Sequence, residues 1–148
     1  MLRLIGRFSA ALVLGLLLAG SAAPSVRAEL FAAKTATLAN GLQIVVIENH
    51  RSPVVAQMIY YRAGGADAPT GKSGIAHFLE HLMFKGTPSV PDGDFSRRIS
   101  RLGGMDNAFT TQDYTAYYQT IARQHLPTIM QMEADRMTNL ILRENEVL

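Results

Sequence analysis

The sequence predicts an α+β fold, in which a mainly antiparallel β-sheet has helices packed on one of its faces. Two observations predict it. β-rich segments and segments with helical spacing follow one another in the order β-β-α-α-β-α, without the regular strand–helix alternation of a parallel sheet. A strong hairpin signal, Asn40-Gly41, lies between the first two apolar runs and indicates antiparallel pairing.

Three segments have the composition of strands. "TATLANGLQIVVIENH" predicts two strands about Asn40-Gly41, and Val45, Val46 and Ile47 suit a buried strand. "VVAQMIYYRAGG", residues 54–65, is a second β-rich run closed by two glycines. "NAFTTQDYTAYYQTIA", residues 107–122, is the third.

Three segments predict helices. Ser73 can cap a helix through "GIAHFLEHLMFKG", which ends near Gly86. A second helix runs from Asp94 to Leu102, where two glycines stop it. The third lies in "LPTIMQMEADRMTNLIL", with apolar residues at helical spacing: Ile129, Met132, Met137, Leu140 and Ile141.

Residues 1–28 have the order of a secretory signal peptide. Arg3 and Arg7 precede the apolar stretch "FSAALVLGLLLAGSAA", and Val26-Arg27-Ala28 offers a cleavage site before Glu29. The sequence therefore predicts an exported protein, most simply a periplasmic one, whose domain is residues 29–148. The alternative is an uncleaved signal that anchors the chain in the membrane, although its apolar core is short for a span of about 20 residues.

Net charge and cysteine content narrow the possible partners and metal ligands of the protein. The 28 residues contain three arginines and no acid, so 11 basic residues then face 12 acidic ones and the net charge is −1. This balance does not indicate nucleic-acid binding, and no stable membrane span is expected after cleavage. The chain has no cysteine, so a metal site would have to use His, Asp or Glu side chains.

Gly71-Lys72-Ser73 resembles the end of a phosphate-binding loop. Such a loop needs a glycine five residues before Gly71, where this chain has Ala66. The strands also do not alternate with crossover helices. A turn followed by a helix N-cap is the preferred interpretation.

The pattern His77-x-x-Glu80-His81 is a stronger indication of chemistry. Residues three and four apart share one face of a helix, so the two imidazoles can bind one Zn²⁺ while the carboxylate lies beside the metal. A carboxylate there can take a proton from a metal-activated water. This order is the inverted form of a zinc-peptidase motif. The alternative is a polar helix face with two surface histidines.

The segment "SGIAHFLEHLMFKGT" resembles the zinc helix of the pitrilysin/insulinase peptidases, which include the mitochondrial processing peptidase. "TLANGLQIVVIENHRSPVVAQMIYYRAGG" is similar to the opening strands of the family, and "GGMDNAFTTQDYTAYYQTI" to its segment after the second helix. The resemblance covers nearly all of residues 35–148. It implies the N-terminal part of a pitrilysin-like peptidase domain and a zinc-dependent endopeptidase.

Carried onto matching positions, the resemblance implies that His77 and His81 bind zinc and that Glu80 is the general base. It also implies that Asn107 and Ala108 line a cleft where a peptide substrate is added as an extra strand. Asn107 as a turn residue is the open alternative.

The third zinc ligand of the family is a glutamate expected a little beyond Leu148. Relatives pair two related halves, so the resemblance implies a second homologous half or subunit and predicts that this chain is an N-terminal part of a longer peptidase. Four acids inside the chain do not stand at the third position: Glu133, Asp135, Glu144 and Glu146. Glu133 and Asp135 are predicted to be surface acids.

Other polar residues have simpler interpretations. Lys85, Arg97 and Arg98 are predicted to be solvated charges, and His50 and His125 are not expected to bind metal. Two alternatives to the enzyme stay open. One is a non-catalytic peptide-binding or partner subunit of the same family, and the other is an inactive truncated fragment.

Overall fold

The computed structural model describes residues 32–147. The chain divides between Asn49 and His50 into two compact units, and each is described by itself. The predicted signal peptide lies outside the described residues, so it stays a prediction. Within residues 32–147, no helix has the length and apolar character that crossing a membrane requires.

The first unit contains a two-stranded hairpin, and the second contains a three-stranded sheet with four helices among its described residues. The strands are β1 (Ala33–Thr37), β2 (Gln43–Ile47), β3 (Val54–Tyr61), β4 (Met105–Thr110) and β5 (Thr115–Ala122). The helices are α1 (Ile75–Leu82), α2 (Asp94–Arg101), α3 (Leu126–Asn139) and α4 (Glu144–Val147). Two 3₁₀ turns, Gly65–Asp67 and Arg123–His125, precede α1 and α3.

The hairpin forms about Asn40-Gly41, as predicted. β1 and β2 are antiparallel, and the side-chain oxygen of Asn40 accepts a hydrogen bond from the N–H of Leu42 at 3.1 Å. The prediction that Val45, Val46 and Ile47 form a buried strand is wrong, because all three are exposed. A two-stranded ribbon has no second layer of its own to cover either face.

The three-stranded sheet has the order β3-β5-β4, and both pairings are antiparallel. The segment predicted as the third β-rich run is two strands joined by a turn at residues 111–114. The hydroxyl of Thr111 closes this turn by accepting hydrogen bonds from the N–H groups of Asp113 and Tyr114. Asn107 lies in β4, so its interpretation as a turn residue is wrong.

Helix α1 begins later than predicted. Its N-cap is Gly74, which has φ of 87° and makes no side-chain capping bond, so the predicted capping role of Ser73 is wrong. A left-handed backbone favours glycine because a Cβ atom would crowd the following carbonyl. The predicted bounds of α2 agree with the structure to within one residue.

Helices α2 and α3 pack their apolar sides against the sheet. Val55 of β3 and Ile121 of β5 are direct partners in the ladder and both belong to this core. The buried members of the core are Val90, Phe95, Ile99, Ile121, Ile129 and Met132. The arrangement confirms the predicted α+β fold with a mainly antiparallel sheet.

A buried ion pair lies within this layer. Arg136 donates to both carboxylate oxygens of Glu133, at 3.1 Å from Nε and 2.6 Å from Nη2, and Gln119 of β5 donates to the same carboxylate. The prediction that Glu133 is a surface acid is wrong, since the residue is 1% exposed. Arg136, one helical turn away, neutralises the charge of Glu133 and offsets the free-energy cost of burying that carboxylate.

Asp135, the other predicted surface acid, is half-buried and holds the segment after α1 against α3. Its carboxylate accepts hydrogen bonds from Ser89, Thr87 and Asn139, and these bonds hold the pKa of the Asp135 carboxyl below its usual range. The hydroxyl partners are 46 and 48 residues away in the sequence. A pattern of neighbouring residues therefore cannot predict that Asp135 binds these two hydroxyl groups.

The basic residues of this region pair with neighbouring acids. Lys85 lies 3.7 Å from Asp92, and both Arg97 and Arg98 pair with Asp94 at the first residue of α2. These side chains are partly exposed. Such pairs contribute little to stability because water screens them.

Glu133→Gln should lower the free energy of unfolding by about 3–5 kcal/mol, because it leaves the buried guanidinium of Arg136 without a counter-charge. Urea denaturation of the full chain measures this change. Lys34→Ala removes an exposed pair with Glu48 and should cost less than about 1 kcal/mol. Equal losses in the two variants would contradict the structural importance of the buried pair.

Candidate metal centre

Helix α1 brings two imidazoles together. His77 and His81 lie one helical turn apart, and both side chains are exposed. Their Nε2 atoms are 3.2 Å apart and their ring centroids 4.8 Å apart. The two nitrogens therefore point at a common position outside the helix.

This spacing fits a shared metal ion. Two nitrogens at about 2.0–2.1 Å from a tetrahedral zinc ion are about 3.3 Å apart. The same distance also permits one imidazole to donate an N–H to the other. Neutral imidazole nitrogen is a good zinc ligand, so the chemistry of the donors agrees with their geometry.

Glu80 points into the protein beside this pair. It is 8% exposed, and its Oε2 accepts a hydrogen bond from the hydroxyl of Thr110 on β4. The carboxylate is thus held from a strand that lies 30 residues further along the chain. Glu80 thus shares α1 with the two imidazoles, whereas its carboxylate is bound by a residue of β4.

The apolar residues of α1 differ in burial. Leu82 is buried, whereas Phe78 and Leu79 are each 44% exposed. Met83, which caps the helix, is half-buried. Apolar and polar side chains are therefore mixed at the surface of the helix.

A cleft of about 710 Å³ opens beside α1. His77 and Glu80 line one side of it, and residues 108–112 of β4 and the following turn line the other. Gly65, Gly74 and Ala76 complete its wall. Their small side chains leave the cleft open toward the two polar residues.

The edge of β4 faces this cleft. Thr111 donates its N–H to the carbonyl of Tyr114 at 2.8 Å, and hydrogen-bonded pairs alternate along an antiparallel ladder. Phe109 and Asn107 therefore bond to β5, whereas the main chain of Ala108 points to the other side. Within the described residues, that side of β4 pairs with no strand.

Asn107 and Ala108, the predicted substrate-binding residues, are adjacent on this edge. Asn107 is exposed, and its side-chain oxygen accepts the N–H of Ala108 at 2.8 Å. Ala108 lines the cleft. Their placement makes strand addition sterically accessible, and their role in binding stays a prediction.

Thr110 was missed by sequence reasoning, although a weak signal existed. It stands two residues after Ala108 on the same strand, so the two side chains share a face. Ala108 was predicted to line the cleft, together with the strand that follows it. A hydroxyl at the next inward position could therefore have been considered as a partner for the polar residues of the helix.

Tyr117 of β5 connects the cleft wall with the buried ion pair. Burial raises the pKa of the Tyr117 phenol, the guanidinium of Arg136 opposes this, and the charge of Glu80 adds to it. The ring of Tyr117 lies 4.4 Å from the guanidinium carbon of Arg136 and 6.0 Å from the ring of Phe84.

Within residues 32–147, no group of three His, Asp or Glu side chains converges on one position. Glu133 and Asp135 are bound elsewhere, as described above, and Glu146 pairs with Arg143 at 3.3 Å. The third ligand expected beyond Leu148 stays a prediction. Gly71-Lys72 lies in a turn closed by a bond from the Lys72 N–H to the Pro69 carbonyl at 2.9 Å.

Comparison with known proteins identifies a family and several relatives that match most of this chain. The insulinase family (peptidase family M16) matches residues 43–148. The zinc protease PqqE of Helicobacter pylori is 37% identical over 116 residues, which is 78% of this chain and 26% of that protein. The mitochondrial-processing peptidase subunit beta of Dictyostelium discoideum is 30% identical over 107 residues, 72% of this chain and 23% of that protein.

A solved structure gives the same result for the fold. The crystal structure of a protease from Helicobacter pylori superposes with a TM-score of 0.75 at 36% identity, covering 78% of this chain and 28% of that one. This likeness agrees with the α+β architecture described above. The chain spans about a quarter of the length of the curated relatives it matches.

Replacing either imidazole should weaken zinc binding by about 100-fold, because a single remaining histidine cannot chelate the ion. His77→Ala and His81→Ala are compared with the unmodified chain by titration against a chromophoric chelator at neutral pH. His125→Ala is the matched control, since His125 lies in the 3₁₀ turn before α3. Unchanged affinity in His77→Ala or His81→Ala would remove these residues from the site.

Proposed function

The chain belongs to the insulinase family of peptidases, M16, and from this membership we propose that it contributes the metal-binding part of a zinc-dependent endopeptidase. The reaction is hydrolysis of peptide bonds in extended peptides by a metal-activated water. One observation carries the proposal. One cleft is lined by His77 of the imidazole pair, by the buried Glu80 and by residues of the edge strand β4.

His77 and His81 would hold the zinc ion, and a glutamate beyond Leu148 would complete its protein ligands. When bound, zinc supplies a Lewis acid that lowers the pKa of water and polarises the scissile carbonyl. The helix contributes rigidity, since both imidazoles are fixed to one turn of α1. That arrangement suits a divalent ion with tetrahedral preference.

Glu80 is proposed as the general base. Its Oε2 is occupied by Thr110, and among the described residues its Oε1 has no hydrogen-bond partner. Because Glu80 also lines the cleft, that oxygen can take a proton from the attacking water and deliver it to the leaving amine. No side chain becomes covalently attached to the substrate in this scheme.

The substrate is proposed to bind as an added strand on β4. Main-chain groups of Ala108 face the open edge, and a strand there gains backbone hydrogen bonds irrespective of its side chains. Only an extended peptide can pair in this way. The cleft therefore favours unfolded segments over folded proteins as substrates.

We also propose that the protein is exported and that it pairs with a second homologous half or subunit. The signal-like order of residues 1–28 supports export, most simply to the periplasm. The relatives are about four times as long as the matched region, which supports a second homologous half or subunit as the partner. That partner would close the cleft from the side opposite α1.

A non-catalytic subunit is the second candidate function. The open edge of β4 would then hold a peptide without cleaving it. The intact set of His77, Glu80 and His81 favours the enzyme, because peptide binding by strand addition needs none of these three side chains. Turnover by the zinc-loaded protein separates the two.

Glu80→Gln should abolish turnover while zinc affinity stays within about threefold of the unmodified chain, because an amide cannot accept the proton and Glu80 is not a ligand. A loss of at least about 10³-fold in kcat is expected. Cleavage of a quenched fluorescent peptide by the zinc-loaded, full-length protein measures it. Retained turnover would exclude Glu80 as the base.

Ala108→Pro should raise KM about tenfold and leave zinc affinity unchanged, because proline removes the N–H that an added strand would take over from the side chain of Asn107, and it removes no bond to β5. The same peptide assay measures KM. Met130→Ala is the control, because Met130 is an exposed residue of α3 outside the cleft. An unchanged KM in Ala108→Pro would contradict strand addition at this position.

A further inference from the structure

We propose that Thr110 is a positioning residue for Glu80. Its hydroxyl holds one oxygen of the carboxylate, and the other oxygen is thereby left facing the cleft. The inference rests on the proposed role of Glu80 as the general base and adds a residue to that machinery. Thr110 lines the cleft, and among the described residues its hydroxyl contacts Glu80 and Thr115 rather than the two histidines.

The contact joins two elements that are far apart in sequence. Thr110 is the last residue of β4 and donates through Oγ1 to Oε2 of Glu80, which is buried on α1. A hydrogen bond to an ionised carboxylate is about twice as strong as one between neutral groups. Because Glu80 ends in a terminal carboxyl that rotates freely, this bond decides the orientation of both oxygens.

The direction of the bond follows from counting protons. Thr115 donates its hydroxyl proton to the carbonyl of Ala63 at 2.9 Å, and a carbonyl can only accept. Thr115 therefore offers Thr110 an acceptor oxygen, at 3.3 Å. Thr110 has one proton to donate, and the carboxyl oxygen of Glu80 is the closer of its two partners.

The same contacts hold Thr110 in place. Thr110 and Thr115 are direct partners in the β4–β5 ladder, and Thr115 also pairs with Tyr61 of β3. All three strands of the sheet thus meet at this hydroxyl pair. The donor to Glu80 is fixed by the rigid part of the fold rather than by a loop.

A functional consequence follows from the position of Thr110 on β4. Ala108, on the same strand two residues earlier, carries the open edge proposed for the substrate. One strand therefore contacts both the carboxylate of the base and the edge proposed for the peptide. A displacement of a reacting group by about 1 Å can lower the rate about 10²-fold, so contact of both groups with one strand favours catalysis.

The experiment compares Thr110→Val, which keeps the shape of the side chain but removes the donor, with Thr110→Ser, which keeps the donor. Thr120→Val is the matched control, because Thr120 lies on β5 opposite Met105 and Ala56 and lines no part of the cleft. Thermal unfolding is recorded for each full-length variant. Thr110→Ala replaces Thr110→Val if the latter does not fold.

The expected kinetic result is a loss of about tenfold in kcat for Thr110→Val, with KM within about twofold. Zinc affinity should stay unchanged, and Thr110→Ser and Thr120→Val should keep kcat within about threefold. In a Glu80→Gln background, Thr110→Val should have no further effect. A loss in Thr110→Ser equal to that in Thr110→Val, or an added loss in the Glu80→Gln background, would overturn the proposal.

A second readout does not need activity. The infrared carboxylate stretch of Glu80 is identified as the band lost in Glu80→Gln. Thr110→Val should shift this band, whereas Thr110→Ser and Thr120→Val should not. An unmoved band in Thr110→Val overturns the positioning role even if the unmodified chain is inactive, and a shifted band in an inactive chain rejects the proposed peptidase activity alone.

Discussion

The buried pair of Glu133 and Arg136 is the contact on which the second unit depends. A guanidinium in the protein interior is tolerated only when a nearby counter-charge balances it. Glu133 supplies the charge, and three aromatic rings lie within 4.4–5.2 Å of the guanidinium carbon. The rings belong to Phe84, Phe95 and Tyr117, so one side chain of α3 contacts β5, α2 and the segment after α1.

This cluster also adjoins the candidate metal centre. Phe84 lies two residues after the end of α1, and its ring contacts Arg136 of α3 and Tyr117 of β5. Tyr117 lies on β5 next to the strand that carries Thr110, and the charge of Glu80 acts on its phenol. A displacement of Arg136 would therefore reach the carboxylate through both routes. The geometry of the site therefore depends on the packing around Arg136 as well as on helix α1, which carries the two histidines and Glu80.

The two sides of the cleft contribute different chemistry. Helix α1 offers two imidazole nitrogens at a spacing of 3.2 Å. Strand β4 offers a main-chain edge and the hydroxyl that binds the buried carboxylate of Glu80. Because the imidazoles are exposed and the carboxylate is not, the proposed metal ligands and the proposed base lie in different environments. A relative named as a zinc protease supports the proposed metal at the level of the family.

Short-range patterns in the sequence determined the hairpin at Asn40-Gly41, the bounds of α2 and the common helix face of His77 and His81. These features depend on residues a few positions apart, so a local period or turn signal contains them. Only the tertiary structure decided that Glu133 is buried, that Val45 is exposed and that Thr110 binds Glu80. Each of these depends on partners from other elements, and burial follows from which layers meet rather than from the residue itself. The sequence by itself thus determined which side chains could perform the chemistry, and packing decided how they are held.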